Sequence, residues 1–205
     1  MFKKYLVTIL IICLMLISGC TKQMERGTFT DGVYKNTSLN LKISFPTEFE
    51  KTNQDTMIFN NGCQPLEMED WKAAVKSCEA KGLSGYIWDL SLQNKSGSIL
   101  TGILIEEIKS SNTTQELIEQ QISKSKSWAG ETAFITAPYE LKIQGKAFQA
   151  FSYIAPNADN PTEEYFGMNA IRIEGNYAIL ITISVKSDNK EDFNNMMKIY
   201  TTQNK

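Results

Sequence analysis

Hydrophobic and polar residues alternate over much of this chain, and a two-residue period is the spacing of a half-buried β-strand. Leu39, Leu41, Ile43 and Phe45 occupy alternate positions, and Pro46 then ends the run. Similar patterns predict paired strands over 86–92 and 99–108, over 140–143 and 147–154, and over 165–173 and 177–185. Short turn sequences separate the two members of each pair, which predicts successive hairpins and a mostly antiparallel sheet.

Three other segments carry apolar residues at the three- and four-residue spacing of an amphipathic helix. The first covers 68–81, and the second opens at Thr113 with Glu116 three residues later, which is the form of a capping box. The third is predicted to open with Asp188 and Glu191. Its apolar stripe consists of Phe193, Met196, Met197 and Tyr200.

The strand predicted over 177–185 is apolar on both faces, because Ile179 and Ile181 alternate with Ala178 and Leu180. A strand of this kind is typical of the centre of a sheet that is covered on both sides. The order of strands and helices therefore predicts an α+β domain, with a mostly antiparallel sheet and helices packed on its faces.

The opening pattern Tyr34-x-Asn36 … Leu41-x-Ile43-x-Phe45-Pro46 resembles that of the PsbP/Mog-like family, as do the mid-chain helix and the long final hairpin followed by a helix. This resemblance covers roughly residues 32–200. It implies an α/β/α sandwich and a role as an accessory or binding protein. It brings no active-site residues to this chain.

The amino terminus has a different pattern, in which Lys3 and Lys4 precede an uncharged apolar run over 5–16. This run is too short for the ~30 Å of hydrocarbon that a transmembrane helix must cross, but it suits the apolar core of a secretory signal. The run ends in Ile17-Ser18-Gly19-Cys20, which resembles the lipobox of bacterial lipoproteins. A plain signal peptide with a chance cysteine and an uncleaved signal anchor are the alternatives.

The lipobox resemblance implies that the Cys20 thiol receives a diacylglycerol and that cleavage before Cys20 makes it the first residue. The acyl chains, such as palmitate, would anchor the protein to the extracytoplasmic face of the cell membrane. The chain is then divided into a signal peptide at 1–19, a polar tether at 20–31 and a single α+β domain at 32–205. The expected partners are the membrane, through the lipid, and an unspecified protein.

Composition excludes several functions. The formal net charge is −2, and the chain has no basic stripe of the kind that nucleic-acid binding requires. The chain also has no histidine, which excludes Ser-His-Asp and Cys-His catalysis and histidine-ligated zinc. Carboxylate and lysine chemistry are not excluded in this way, but no nucleophile–base pair is visible. We therefore expect a protein that is not an enzyme and that has no catalytic residues, cofactor or metal site.

Cys63 and Cys78 are the two thiols that remain after processing, apart from the acylated one. An even pair outside the cytoplasm favours a disulfide, which would contribute about 3 kcal/mol. The bond requires the segment after Cys63 to fold back along the helix, and a helix that begins at Pro65 would prevent it. Two unpaired thiols, with Cys78 in the core, are the alternative.

Acidic and aromatic clusters are the remaining candidate sites. The carboxylates of Glu67, Glu69 and Asp70 at a helix start are better explained by the helix dipole than by catalysis. A polar loop is favoured over a calcium site for the stretch that contains Asn157, Asp159, Glu163 and Glu164. For the three tryptophans, core positions are favoured over a shared ligand groove at Trp71, Trp88 and Trp128.

The sequence as a whole favours a non-enzymatic binding or accessory lipoprotein. One alternative is a solute-binding lipoprotein that serves a transporter, although such proteins usually have two lobes around a cleft. The other alternative is a hydrolase that uses a pair of carboxylates at a fixed separation in a cleft.

Overall fold

The computed structural model of the protein describes residues 24–52, 76, 86–108, 111–130, 132–157, 160, 162–188 and 190–202. A small antiparallel sheet contains β1 (Thr28–Thr30), β2 (Val33–Asn36) and β3 (Leu41–Ser44), in that order. Two helices are described in full, α1 (Thr114–Ala129) and α2 (Glu191–Thr201).

A larger sheet of eight strands forms the centre of the domain. Its strands in chain order are β4 (Phe49–Lys51), β5 (Tyr86–Asn94), β6 (Ile99–Glu107), β7 (Phe134–Ile135), β8 (Tyr139–Ile143), β9 (Lys146–Pro156), β10 (Glu164–Glu174) and β11 (Tyr177–Ser187). Their spatial order is β4-β5-β6-β11-β10-β9-β7, and β8 also pairs with β9. All of the pairings are antiparallel, so the predicted hairpins and the mostly antiparallel sheet are confirmed.

The prediction of a central strand is also confirmed, because β11 lies between β6 and β10 and is buried on both faces. Ile179 and Ile181 belong to one hydrophobic cluster, whereas Ala178 and Leu180 belong to a second cluster. The apolar alternation read from the sequence therefore corresponds to two separate cores, one on each face of the sheet.

Each helix contributes to a different core. From α1, Leu117 and Ile118 join the cluster that contains Leu180. The other cluster combines the inner face of the small sheet with three side chains of α2: Phe193, Met196 and Tyr200. The predicted α+β class, with helices packed on a mostly antiparallel sheet, is thus confirmed.

The structure differs from the sequence prediction at the amino-terminal segment, which the sequence assigned to a tether over 20–31. Met24 is only 5% exposed, and Thr28–Thr30 form β1. Polar contacts attach this segment to the domain, since Arg26 and Gly27 both bond to Asp89. Contacts of this kind leave no hydrophobic period in the sequence, so the sequence pattern indicates only a polar tether.

Two further details differ from expectation. The first strands form their own sheet instead of extending the large one. The second difference is at α2, which begins at Glu191, with Lys190 as its N-cap residue and no side-chain cap. The Asp188 that was predicted to open this helix precedes it.

Several predicted features lie outside the described residues. These are the lipobox with Cys20, the pair Cys63 and Cys78, the acidic cluster at 67–70, Trp71, and the helix at 68–81 apart from Lys76, which is helical. Within the part of the chain that the structure describes, no helix is both long and apolar enough to cross a membrane.

Candidate functional site

The two tryptophans that the structure describes occupy opposite kinds of environment. Trp88 on β5 is 4% exposed and lies over Gly102, where a Cβ atom would clash with the indole ring. Trp128 in the last turn of α1 is 60% exposed. The sequence favours a core position for both tryptophans. This prediction is confirmed for Trp88 and is wrong for Trp128.

The ring of Trp128 packs against the rings of two tyrosines. Its ring meets that of Tyr153 edge-on at a centroid distance of 5.8 Å, and that of Tyr165 at 5.7 Å. The Tyr153 ring in turn covers Gly167, where a Cβ atom would lie 2.0 Å from the ring. Edge-to-face pairs of this kind are favourable beyond the area they bury. The indole is therefore held in place while most of its surface faces solvent.

Phe134 is the second large apolar side chain that is exposed among the described residues, at 63%. It lies on β7, directly opposite Ile154 of β9. Two hydrogen bonds fix the strand just beyond it. The Thr136 N–H donates to the Ser152 carbonyl at 2.9 Å, and the Ser152 N–H donates to Thr136 Oγ1 at 3.0 Å.

A pocket of about 220 Å³ opens beside Phe134, where the outer strands of the large sheet meet the start of α2. Its lining residues are Phe134, Thr136, Tyr139, Ser152, Tyr153, Ile154, Phe166, Lys190 and Phe193. Tyr139 and Ser152 bond to each other through their hydroxyl groups at 2.7 Å. We call the pocket together with Trp128, Phe134, Tyr153 and Tyr165 the aromatic edge.

Apolar and aromatic side chains make up most of the lining of the pocket. Among the described residues that line the pocket there is no carboxylate, and Lys190 is the one cationic residue. Burial raises the pKa of Tyr153, so this phenol stays neutral at physiological pH. An apolar cavity of ~150 Å³ is known to hold a benzene molecule, so this pocket has room for one apolar side chain or a ligand of that size.

Asp89 was not anticipated as an important residue, but it is the centre of a buried polar cluster. Its side chain is 0% exposed. It accepts hydrogen bonds from the Gly27 N–H at 2.9 and 3.1 Å, from Asn36 Nδ2 at 2.9 Å and from the Tyr34 hydroxyl at 2.5 Å. Arg26 Nε lies 3.4 Å away. Protein groups surround this carboxylate, so it stabilises the fold instead of facing a ligand.

Tyr34 shows the electrostatic effect of this cluster. Burial raises the pKa of the Tyr34 phenol well above its ordinary value, and the neighbouring charge of Asp89 raises it further. The phenol is therefore a permanent donor to Asp89 at any physiological pH. The sequence signal that could have indicated the cluster is the single carboxylate in the apolar stretch Ile87-Trp88-Asp89-Leu90.

The polar loop that contains Asn157 and Glu163 was the candidate calcium site, but its described side chains bond to protein groups. Asn157 Nδ2 donates to Glu163 Oε2 at 3.0 Å, and Lys186 Nζ lies 3.2 Å from the same oxygen. Asp159 lies outside the described residues. Within the described ranges, no three acidic, thiol or imidazole side chains come together in a way that could hold a metal ion.

Comparison with known proteins gives no family assignment. No family model matches the chain, and no curated protein matches it in sequence. Among solved structures, the chain is similar to the solution structure of cyanobacterial PsbP (CyanoP) from Synechocystis sp. PCC 6803. The TM-score is 0.48 and the identity 10%, over 88% of this chain and 92% of that one.

The chain is also similar to the crystal structure of PA94, a protein of unknown function from Pseudomonas aeruginosa. Here the TM-score is 0.35 and the identity 8%, over 52% of this chain and 75% of that one. Both TM-scores lie below 0.5, so no property of either protein is carried over to this chain.

Proposed function

We propose that this protein is a lipid-anchored, non-enzymatic binding or accessory protein of the extracytoplasmic membrane face, and that it binds a partner protein at the aromatic edge. The observation that carries the binding role is the exposed Phe134, which lines a pocket, together with the exposed Trp128, whose ring contacts Tyr153 of the same pocket.

The aromatic edge has the properties of a protein-binding hot spot. Tryptophan and tyrosine side chains that surround a pocket supply a large share of the binding energy at many interfaces. Because Tyr153 and Tyr165 already hold the Trp128 ring, little side-chain entropy would be lost when a partner binds. Covering the exposed apolar surface would contribute about 25 cal/mol for each Å² removed from water.

The anchoring half of the proposal is supported by the sequence Ile17-Ser18-Gly19-Cys20 at the end of an apolar run. Acylated Cys20 would carry two or more chains, and dual acylation is enough for stable attachment. We also propose that the domain is the α/β/α sandwich of the PsbP/Mog-like resemblance. The contributions of α1 and α2 to different cores support that arrangement.

The absence of an enzymatic role is supported by two observations. The sequence has no histidine, and the described pocket is lined by no Asp or Glu that could form a catalytic carboxylate pair. The volume of the pocket suits one side chain of a partner, whereas drug-sized ligands usually occupy larger clefts. A small solute bound in the pocket is therefore the alternative to a partner protein, and the experiment must distinguish the two.

The test is chemical cross-linking in cells that produce the intact lipoprotein, followed by mass spectrometry of the captured proteins. We expect a reproducible partner whose yield falls at least tenfold when Trp128→Ser and Phe134→Ser are combined. Lys126→Ser, an exposed change on the same helix, is the matched control and should leave the yield unchanged.

Two results would contradict the proposed binding role. One is capture of the partner at an equal yield with the double variant. The other is the absence of any captured protein together with a small molecule that co-purifies with the native chain but not with the double variant. Separately, incorporation of labelled palmitate that is lost in Cys20→Ser would test the anchor.

A further inference from the structure

The amino-terminal segment is fixed to the domain at the turn between β2 and β3, over residues 37–40. The Glu25 N–H donates to Ser38 Oγ at 3.1 Å, and Asn36 Nδ2 donates to the Glu25 carbonyl at 3.1 Å. The bonds of Gly27 and Arg26 to Asp89 follow within two residues. The chain is therefore held against the domain from Met24 onward.

This attachment leaves a very short connection to the proposed lipid anchor. Cys20 and Met24 are four residues apart, and an extended chain covers at most about 3.3–3.6 Å per residue. The two Cα atoms can then be separated by no more than about 14 Å. If Cys20 is acylated, the turn between β2 and β3 must stay close to the lipid headgroups.

The outer face of the small sheet lies beside that turn and carries an unusual pair of charges. Lys35 of β2 lies directly opposite Lys42 of β3, and both side chains are exposed. Like charges directly opposite each other destabilise a sheet. Neither lysine forms a salt bridge with any residue that the structure describes.

The outer face of the small sheet carries no carboxylate that could offset the repulsion between Lys35 and Lys42. The register of the three strands places Thr28 beside Lys35, and it places Thr30 and Ser44 on either side of Val33. The outward-facing positions of the small sheet are thus threonine, serine and valine side chains around two lysines. A surface of this composition complements a layer of negative charge.

We propose that the outer face of the small sheet lies on the membrane surface, where Lys35 and Lys42 contact the phosphate groups of anionic lipids. This inference depends on the proposed lipid anchor at Cys20, whose short connection brings the face within reach of the bilayer. The electrostatic attraction of an anionic bilayer decays over a Debye length of about 8–10 Å, so a close and fixed distance is required.

The orientation leaves the aromatic edge available to a partner. Asp89 lies on β5, and the strand pairings lead from its neighbours across β6, β11 and β10 to Gln149 on β9. These four steps of ~4.8 Å each place β9 about 19 Å from β5. Phe134 pairs five residues further along β9, at Ile154, or about 17 Å at ~3.3 Å per residue. Asp89, which lies under the small sheet, and Ile154, beside the aromatic edge, are therefore about 25 Å apart along the large sheet.

The test uses the mature lipidated protein in vesicles of phosphatidylcholine, alone or mixed with phosphatidylglycerol. A genetically encoded fluorescent amino acid replaces Ser44 on the outer face, and energy transfer to a headgroup-labelled lipid reports its distance from the bilayer. We expect at least twofold more transfer in the anionic vesicles. A probe that replaces Lys95, in the turn between β5 and β6, should show no such difference.

Charge variants then test the two lysines. Lys35→Gln combined with Lys42→Gln should lower transfer from position 44 to the value seen in neutral vesicles, without lowering the thermal midpoint. Lys126→Gln combined with Lys198→Gln removes the same charge from the helices and should leave transfer unchanged. High salt should act like the first double variant, because it screens the attraction.

Equal transfer in the two kinds of vesicle, or transfer that survives the change of both Lys35 and Lys42, would overturn the proposal. Loss of a cross-linked protein in cells with the same variant, at unchanged transfer, would assign the face to a protein and overturn it as well. Failure of the anchor itself is distinguished by mass spectrometry, since the amino-terminal peptide would then carry no lipid at Cys20.

Discussion

Asp89 connects three separate parts of the chain through one buried carboxylate. Gly27 and Arg26 belong to the amino-terminal segment, Asn36 belongs to the small sheet, and Asp89 itself lies on the large sheet. Arg26 is also buried and donates to the Trp88 carbonyl. Breaking a buried ion pair by removing one partner leaves the other charge without compensation, which is strongly destabilising.

We therefore predict that Asp89→Asn lowers the free energy of unfolding by about 3–5 kcal/mol, because Arg26 would stay buried without a countercharge. Urea denaturation followed by circular dichroism measures this loss. Asp31→Asn, in the exposed turn between β1 and β2, is the control and should change stability by less than about 0.5 kcal/mol. A similarly small effect of Asp89→Asn would show that the buried carboxylate does not hold the segment.

Tyr34 gives a prediction for the alkaline range. The pKa of its phenol is raised in the folded state, by burial and then by Asp89, above the value of about 10 expected in the unfolded chain. The protonated phenol thus stabilises the fold fully below pH ~10, and this stabilisation is lost as the pH rises towards the folded-state pKa. Burial also raises the pKa of Tyr153 and Tyr200, so the three effects add.

The measurement is the free energy of unfolding as a function of pH, with phenolate absorbance recorded in parallel. We expect stability to be level between neutral pH and about pH 9 and to fall above about pH 10. The phenols of Tyr34, Tyr153 and Tyr200 should ionise only as the protein unfolds. Complete ionisation of all tyrosines in a still-folded protein would contradict this account.

Asp89, which the sequence does not single out, and Trp128, for which the prediction is wrong, both depend on contacts that alternation cannot reveal. The register of β5 shifts between Trp88 and Leu90, so Asp89 sits at a β-bulge. The extra residue lets Ile87 and Leu90 face the same core although they are three positions apart. Trp128 matches the helical spacing of the core face of α1, but its position in the last turn leaves it exposed on two tyrosines.

At the scale of single elements, the capping box of α1 was predicted from four letters of sequence and is confirmed. The Glu116 N–H donates to Thr113 Oγ1 at 3.2 Å, and the Thr113 N–H donates to Glu116 Oε2 at 2.9 Å. Both bonds satisfy helix-end groups that would otherwise lack a partner.

Thr113→Ala should accordingly cost about 1 kcal/mol of stability, because the amide of Glu116 loses its acceptor. Ser127→Ala, an exposed change within the same helix, should be close to neutral. Thermal unfolding of the two variants against the native chain gives the comparison. An equal shift in the two would mean that the cap contributes nothing.

The hairpins were predictable because they are local. Gln144 and Gly145 both adopt a positive φ, at 49° and 76°, which joins β8 to β9 through a tight two-residue turn. The small sheet and the amino-terminal segment were not predictable in the same way. Their placement depends on contacts such as that between Gly27 and Asp89, which are 62 residues apart in the chain.

At the scale of the whole molecule, the large sheet separates two surfaces of different chemistry. The small sheet presents Lys35 and Lys42 near the proposed membrane connection, whereas the aromatic edge presents Trp128 and Phe134 at the far side of β9. The antiparallel strand pairings from β5 through β6, β11 and β10 to β9 connect the two surfaces. The proposed bilayer contact and the proposed partner contact thus fall on separate surfaces of the fold.

The central claim is that the aromatic edge binds a protein, and photo-cross-linking from a defined position tests it most directly. A photoreactive amino acid replaces Thr132, which is exposed between Trp128 and Phe134, or Lys95 in a distant turn. The account predicts a single cross-linked protein from position 132 and none from position 95, with the product lost in Trp128→Ser. No product from position 132, or the same product from both positions, would contradict it.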